Sequence, residues 1–326
     1  MHVMGGGDVG GAKTQIMNTV TGLSRTNDVM LISFRAGPFA DEARERGIDV
    51  RVIERHNPFR AARTMRDLVD EFKPDIIHCH GGRANLMGAM VRRSRHIPII
   101  TTVHSDYRLD YLGSPLKQHT LGTANAIALR FLDFYQPVAD RMARTLIERG
   151  FDPERIVKIY NGMEFNRPEG EFDRAAYLRE TYGAEIEEGD VLCGIAARLT
   201  AVKDIATTVR GFAEALKTAP QLRLFIAGDG EDADMLKKLC DQLGVRERVT
   251  FCGWVSPVMP FFRAMDINLL SSVSETFPYS ILEGVCAGCA TICSDVGGMP
   301  ELIDTGENGY IFPVGDDKKL AEYMAR

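Results

Sequence analysis

The chain has 326 residues, 45% of them hydrophobic and 26% charged, with a formal net charge of −6. That length exceeds what one hydrophobic core usually organises, and the composition excludes a disordered or collagen-like chain and argues against a general nucleic-acid binder. Seven irregularly spaced cysteines rule out a regular disulfide framework and suit a reducing compartment. No apolar run reaches the roughly 18 residues of a membrane span and no basic-then-apolar leader is seen, so a cytoplasmic protein is expected.

In chain order, short β-rich runs alternate with helical periodicity, the sign of parallel sheets with helices on both faces. Strands are predicted at His2–Met4, Val29–Phe34, Asp49–Ile53, Ile76–Cys79, Ile97–Val103, Phe134–Pro137 and Ile156–Tyr160. Helices are predicted between them at Ala12–Ser24, Phe59–Phe72, Ala84–Val91 and Val138–Arg149. Asn161-Gly162 is a turn signal and the polar stretch to Asp173 reads as a linker, which divides the chain into domains 1–160 and 161–326. The pattern restarts with strands at Val191–Ala196, Leu222–Ala227, Val249–Phe251, Ile267–Leu270 and Ala290–Ser294, and helices at Lys203–Lys217, Asp232–Leu243 and Pro278–Ala287. A last helix after Asp316 stops at Arg326, so the second domain is expected to be truncated at its C-terminus. The fold class is therefore α/β, with two tandem Rossmann-like doubly wound domains facing a central cleft.

Charge is uneven between the halves. Residues 1–155 carry 22 Lys and Arg against 18 Asp and Glu, and 156–326 carry 17 against 27. With Arg92, Arg93, Arg95 and His96 clustered after a helix, the first domain is the candidate for peripheral contact with an anionic membrane face, although, with no clear basic amphipathic helix beside the cluster, ordinary surface arginines account for it better.

Several motifs carry chemistry. The first strand runs into GGGDVGGAK, where Gly5, Gly7 and Gly10 satisfy G-x-G-x-x-G and would let backbone amides approach a phosphate or sugar. Ser33, Phe34 and Arg35 stand where a nicotinamide-binding lobe wants an acid; Arg35 suits a 2′-phosphate, which leaves an NADP-dependent oxidoreductase as an alternative. In SSVSETFPYSILEGVCAG, Glu275 precedes a helix whose first turn is expected to hold Pro278, with Glu283 further along. The amides of Thr276, Phe277 and Tyr279 at that helix end are candidates to receive a diphosphate, and Glu283 to accept from ribose hydroxyls. His78 and His80 alternate along one strand and share a face; a metal there lacks an evident third ligand. Cys286, Cys289 and Cys293 read as core rather than as a zinc site.

The ordered set GGAK, PDIIHCH, TTVH, KIYNGMEF, GIAARLTAVKD, FIAGDGED, the Glu275 to Glu283 segment and SDVGGMPELI resembles the retaining, GT-B-fold glycosyltransferases of family 4 (glycosyl transferases group 1) over nearly the whole chain. The resemblance implies a nucleotide-sugar donor on the second domain and a hydroxyl acceptor on the first. It places Arg198 and Lys203 as the pair that grips the donor diphosphate without a metal or other cofactor. Glu275 is implied at the transferred sugar, Glu283 at the ribose, and Thr276, Phe277, Pro278, Gly10 and Gly11 around the donor. His104 would lie beside the transferred sugar, with His80 and Lys13 on the acceptor side; Asp106, close after His104, reads either as orienting an acceptor hydroxyl or, at least as readily, as forming a turn. Lys13, where the family often has glutamate, suggests an anionic acceptor or a direct contact to the donor phosphates, with lipid-linked, glycan and small-molecule acceptors also open; Ala290 replaces a frequent proline. A front-face transfer with retention is implied, and a nucleotide-sugar epimerase of the same fold is the main alternative.

Overall fold

A computed structural model of the chain describes residues 1–5, 11–54, 57–92, 96–106, 108, 116, 118–165 and 170–326. Contacts divide it into two units, Met1–Gly162 and Met163–Arg326.

The first unit is a parallel sheet of β1 (His2–Met4), β2 (Met30–Ser33), β3 (Asp49–Val52), β4 (Ile77–His80), β5 (Ile99–Val103) and β6 (Phe134–Pro137), in the order β3-β2-β1-β4-β5-β6. The strands are short and largely buried because helices cover both faces. Val3, Ile32 and Cys79 face one core beneath α3 (Pro58–Phe72) and α4 (Gly82–Arg92). Met4 and Leu31 face the other, beneath α1 (Gly11–Leu23) and α2 (Pro38–Glu45). Asn57 starts α3 by accepting from the amides of Phe59 and Arg60, with Pro58 in the first turn where no amide is missed. α5 (Thr123–Leu129) and α6 (Asp140–Glu148) complete the unit. The predicted strand at Ile156–Tyr160 is not one. Ile156 bridges Tyr135, and the amides of Val157 and Ile159 reach the carbonyls of Tyr135 and Pro137, but Val157 and Ile159 remain 54% and 52% exposed. The segment flanks β6 with Ile156 partly buried against the core and the rest of its apolar side chains exposed.

The second unit repeats the plan with β7 (Val191–Ala196), β8 (Leu222–Ala227), β9 (Val249–Gly253), β10 (Ile267–Leu270), β11 (Ala290–Ser294) and β12 (Gly309–Phe312), in the order β12-β11-β10-β7-β8-β9. β12 escapes sequence reading because only Phe312 of its four residues is buried. The helices are α7 (Arg174–Tyr182), α8 (Ile205–Ala215), α9 (Ala233–Gln242), α10 (Met259–Ala264), α11 (Tyr279–Ala287), α12 (Met299–Leu302) and α13 (Asp317–Met324). α8 begins two residues later than predicted: Lys203 ends a 3₁₀ turn and Asp204, at φ 42°, caps the helix through Thr207. Pro278 likewise lies outside its helix, as the extended residue before Tyr279 with ψ 133°. All seven cysteines are free thiols, and all but Cys252 are buried. No described helix is long and apolar enough to cross a membrane.

In each unit the strand order reverses once, between β1 and β4 and between β7 and β10, and ligands of such sheets bind outside the carboxyl ends of strands at that reversal. α11 is seated there through Gly284, where an added Cβ would lie 2.2 Å from the Nδ2 of Asn268, a fully buried β10 side chain that donates to the Ser280 carbonyl. Gly284→Ala is expected to cost about 1–3 kcal/mol by overpacking and to lower the Tm of the second unit, measured by calorimetry.

Candidate functional site

At the carboxyl ends of β7 and β8 the backbone is drawn together by glycines. A Cβ on Gly228 would stand 1.8 Å from the Ala197 carbonyl oxygen, and one on Gly230 2.2 Å from that of Leu199. The Leu199 amide donates to the Asp229 carbonyl and the Asp232 amide returns to Leu199, so the GDG turn and the residues around Arg198 form one hydrogen-bonded unit. Arg198 stands exposed on it, and among the described residues no ion pair or hydrogen bond engages its side chain.

The turn that carries Lys203 is fastened to the segment leaving β10. Val273 donates its amide to the Val202 carbonyl, and Ser271 its hydroxyl to the Lys203 carbonyl. The Lys203 ammonium pairs with the Glu275 carboxylate, which also accepts from the Ser272 hydroxyl at 2.8 Å. Glu275 is backed in turn by Gly297 of the SDVGG motif: at φ 53°, a Cβ there would lie 2.4 Å from the Glu275 carbonyl. Glu283 on α11 is partly buried with no partner among the described residues, and desolvation raises its pKa above the ordinary carboxylate value. Thr276 and Phe277 are buried ahead of α11; they and Tyr279 have partners of their own and are not counted as free amide donors. The site thus offers one unopposed cation, a second cation shared with a carboxylate, and a desolvated acid.

The reversal of the first unit carries imidazoles instead. His2 and His78 are paired in register on β1 and β4, as are Met4 and His80, so both strands put histidines on one face. His2 Nδ1 lies 3.2 Å from His80 Nε2, His80 Nδ1 lies 3.3 Å from His104 Nε2, and His78 Nε2 lies 2.7 Å from the Thr102 hydroxyl. Burial lowers the pKa of all four: His78 and His104 to about 4, His2 and His80 well below the usual value. The third histidine missing from the sequence reading of a metal pair is His2, since ligand atoms of His2, His78 and His80 lie within 4.8 Å of one another.

Three of the acceptor-side expectations change. His80 is 3% exposed and covered by its neighbours, which removes it as a direct acceptor contact. Lys13 is not an unopposed cation: its ammonium pairs with Glu42 at 2.8 Å, because α1 and α2 pack side by side on the same sheet face. Asp106 is gripped by both terminal nitrogens of Arg149 at 2.6 Å and accepts from the Arg108 amide, so it locks its loop to the end of α6. Gly11 opens α1 exposed, whereas Gly10 lies outside the described residues. Sequence reading missed Ser272, Gly230, Gly297 and His2. The glycines had a signal in their motifs, but the partners of Ser272 and His2 depend on strand pairing that no local pattern carries.

Compared with known proteins, residues 9–167 match the family model described as Glycosyltransferase Family 4, and residues 183–326 that described as Glycosyl transferases group 1. The chain is 29% identical over 260 residues to an uncharacterized glycosyltransferase of Methanocaldococcus jannaschii, covering 75% of this chain and 64% of that protein. It is 27% identical over 272 residues to N-acetyl-alpha-D-glucosaminyl L-malate synthase of Bacillus anthracis, covering 80% and 67%. The chain thus spans about two thirds of the length of these relatives. The crystal structure of Anabaena HepE in complex with UDP-glucose superposes with a TM-score of 0.84 at 22% identity, over 99% of this chain and 88% of that one. The likeness establishes the two-domain α/β fold of the GT-B type.

Two pH effects of opposite sign follow. Unfolded imidazoles take up protons near pH 6.5, whereas His78 and His104 resist until about 4, so the stability of the first unit is full above 6.5 and falls as pH drops through 4. Glu283, with its pKa raised, favours folding below the unfolded carboxylate value of about 4.3 and loses that contribution as pH rises through its folded value. Glu283→Gln should therefore raise the Tm of the second unit at pH 7 relative to wild type, with the difference vanishing at acid pH in a calorimetric series.

Proposed function

The chain belongs to the GT-B glycosyltransferases of family 4, and we propose that it transfers a sugar from a nucleoside-diphosphate sugar to a hydroxyl acceptor with retention of anomeric configuration. The observation that carries this reading is the exposed, unopposed Arg198 beside the turn of Lys203 at the strand reversal of the second unit. Departure of a nucleoside diphosphate builds negative charge on phosphate oxygens. Two cations held by glycine-tight backbone stabilise that charge with little reorganisation.

In this reading Arg198 and Lys203 bind the diphosphate, and Glu275 exchanges part of its pairing with Lys203 for hydroxyls of the transferred sugar. Glu283 accepts from the ribose hydroxyls, which supply the hydrogen bonds its desolvated carboxylate lacks. The acceptor oxygen attacks the anomeric carbon on the face that the diphosphate leaves, and the departing phosphate takes the acceptor proton. The side chains hold and polarise; none forms a covalent intermediate. The charge stabilisation is assigned to side chains, so the chemical step is read as independent of a divalent metal. HepE is described with UDP-glucose, which makes UDP-hexoses the first donors to test, and the Bacillus anthracis relative is named for a product of L-malate, a dicarboxylate, which favours an anionic acceptor.

The test is a donor screen by calorimetric binding, followed by product analysis and NMR of the new anomeric centre. The paired Arg198→Ala and Lys203→Ala changes should lower kcat by about 100-fold or more. EDTA should leave the rate unchanged, and donor alone should give no epimerised sugar. Full activity in the double variant, or an inverted product, would overturn the assignment.

A further inference from the structure

We propose that His2, His80 and His104 form a hydrogen-bonded imidazole chain locked in one common tautomer, through which His80 acts as a positioning residue for His104. The role for His104 rests on the function proposed above; the chain itself does not.

The geometry distinguishes a chain of hydrogen bonds from a metal triad. His2 and His80 have bonded nitrogens 3.2 Å apart and ring centres 5.5 Å apart; for His80 and His104 the values are 3.3 and 5.6 Å. In both pairs the difference is about one ring diameter, which requires the two nitrogens to lie on the line joining the ring centres. A proton shared along that line suits both lone pairs, whereas two ligands of a tetrahedral ion point at a common atom off the line. The rings of His2 and His80 are within 14° of coplanar orientation, as an in-plane hydrogen bond allows. His78 cannot complete a triad as it stands. Its ring stacks on His80 at 4.4 Å and 22°, and its Nε2 is engaged by the Thr102 hydroxyl. A metal lies in the plane of each imidazole that binds it, and two stacked planes do not meet at one ion.

Proton counting then fixes the tautomers. Each ring is neutral at pH 7 and carries one N–H, because burial opposes the charged form. Two nitrogen-to-nitrogen contacts need one proton each, and His80 contributes to both. Where His80 Nδ1–H donates to His104 Nε2, its own Nε2 accepts from His2 Nδ1–H, and all three rings carry the proton on Nδ1. Where His104 Nε2–H donates to His80, the Nε2–H of His80 donates to His2, and all three carry it on Nε2. Mixed arrangements leave one contact with two protons or none. The tautomer of His104 is thereby tied to a ring on β1 that is itself 5% exposed. This gives His80 a purpose that fits its burial better than acceptor contact does: it fixes which nitrogen of His104 is bare and which carries hydrogen.

Long-range ¹H–¹⁵N correlation of the histidine rings in the whole wild-type chain at pH 7 reads this directly and needs no variant. The expected result is one tautomer common to His2, His80 and His104; different tautomers among the three, or averaged ones, would overturn the chain. Titration with Zn²⁺ followed by elemental analysis is the second arm: a tightly held equivalent that is lost in His80→Gln would replace the chain with a metal site. The third arm is kinetic. His80→Phe should lower kcat about tenfold or more, as displacement of a reacting group does, leave the Kd for UDP-glucose unchanged, and add nothing in a His104→Ala background. Additive losses would show that His80 does not act through His104. Absence of sugar transfer in the wild type would count against the proposed function, and the ring tautomers would still decide the chain.

Discussion

Backbone contact that no side chain larger than hydrogen permits is what the second unit's crevice depends on. Gly228 and Gly230 let the turn after β8 lie against the strand end that carries Arg198, and Gly297 lets the loop after β11 lie against Glu275. These approaches replace side-chain packing with direct carbonyl and amide contacts, which hold the charged groups on stiff backbone. A phosphate site needs this rigidity, since fixed charges stabilise a transition state only if they are already in place.

The two strand reversals solve different electrostatic problems on the same scaffold. In the second unit charge is concentrated: Arg198 unopposed, Lys203 shared, Glu283 desolvated. In the first, four imidazoles are packed together and remain uncharged because their surroundings exclude water. The charged groups of the second unit are only partly paired, whereas the imidazoles of the first are engaged with one another. Under the function proposed above, the charged reversal is the one that would receive the leaving group.

Much of this was legible in the chain because doubly wound sheets write themselves as local patterns. β1, β6, β7, β8, β10 and β11 carry the boundaries expected of them, since each is a short apolar run between turn residues. β12 and the segment flanking β6 were misjudged for one shared reason: burial at a sheet edge depends on what covers the edge, not on the residues in it. Arg198, Lys203, Glu275 and Glu283 could be picked out by their motifs, yet the motifs did not show that Lys203 and Glu275 are paired. Lys13 and Asp106 looked available for the same reason, because Glu42 and Arg149, which engage them, come from other elements of the fold. His2 was silent because only the β1 to β4 register brings it to His80.

The seven unpaired thiols have a practical consequence. Burial pushes every one of them above the usual cysteine range, Cys79, Cys252, Cys289 and Cys293 to about 12 and Cys240 to about 11. Alkylating reagents and peroxide attack the thiolate, whose population at neutral pH burial lowers at each position. A cysteine engineered onto an exposed surface position would accordingly take up a fluorophore or spin label selectively, against a native background that needs no prior removal.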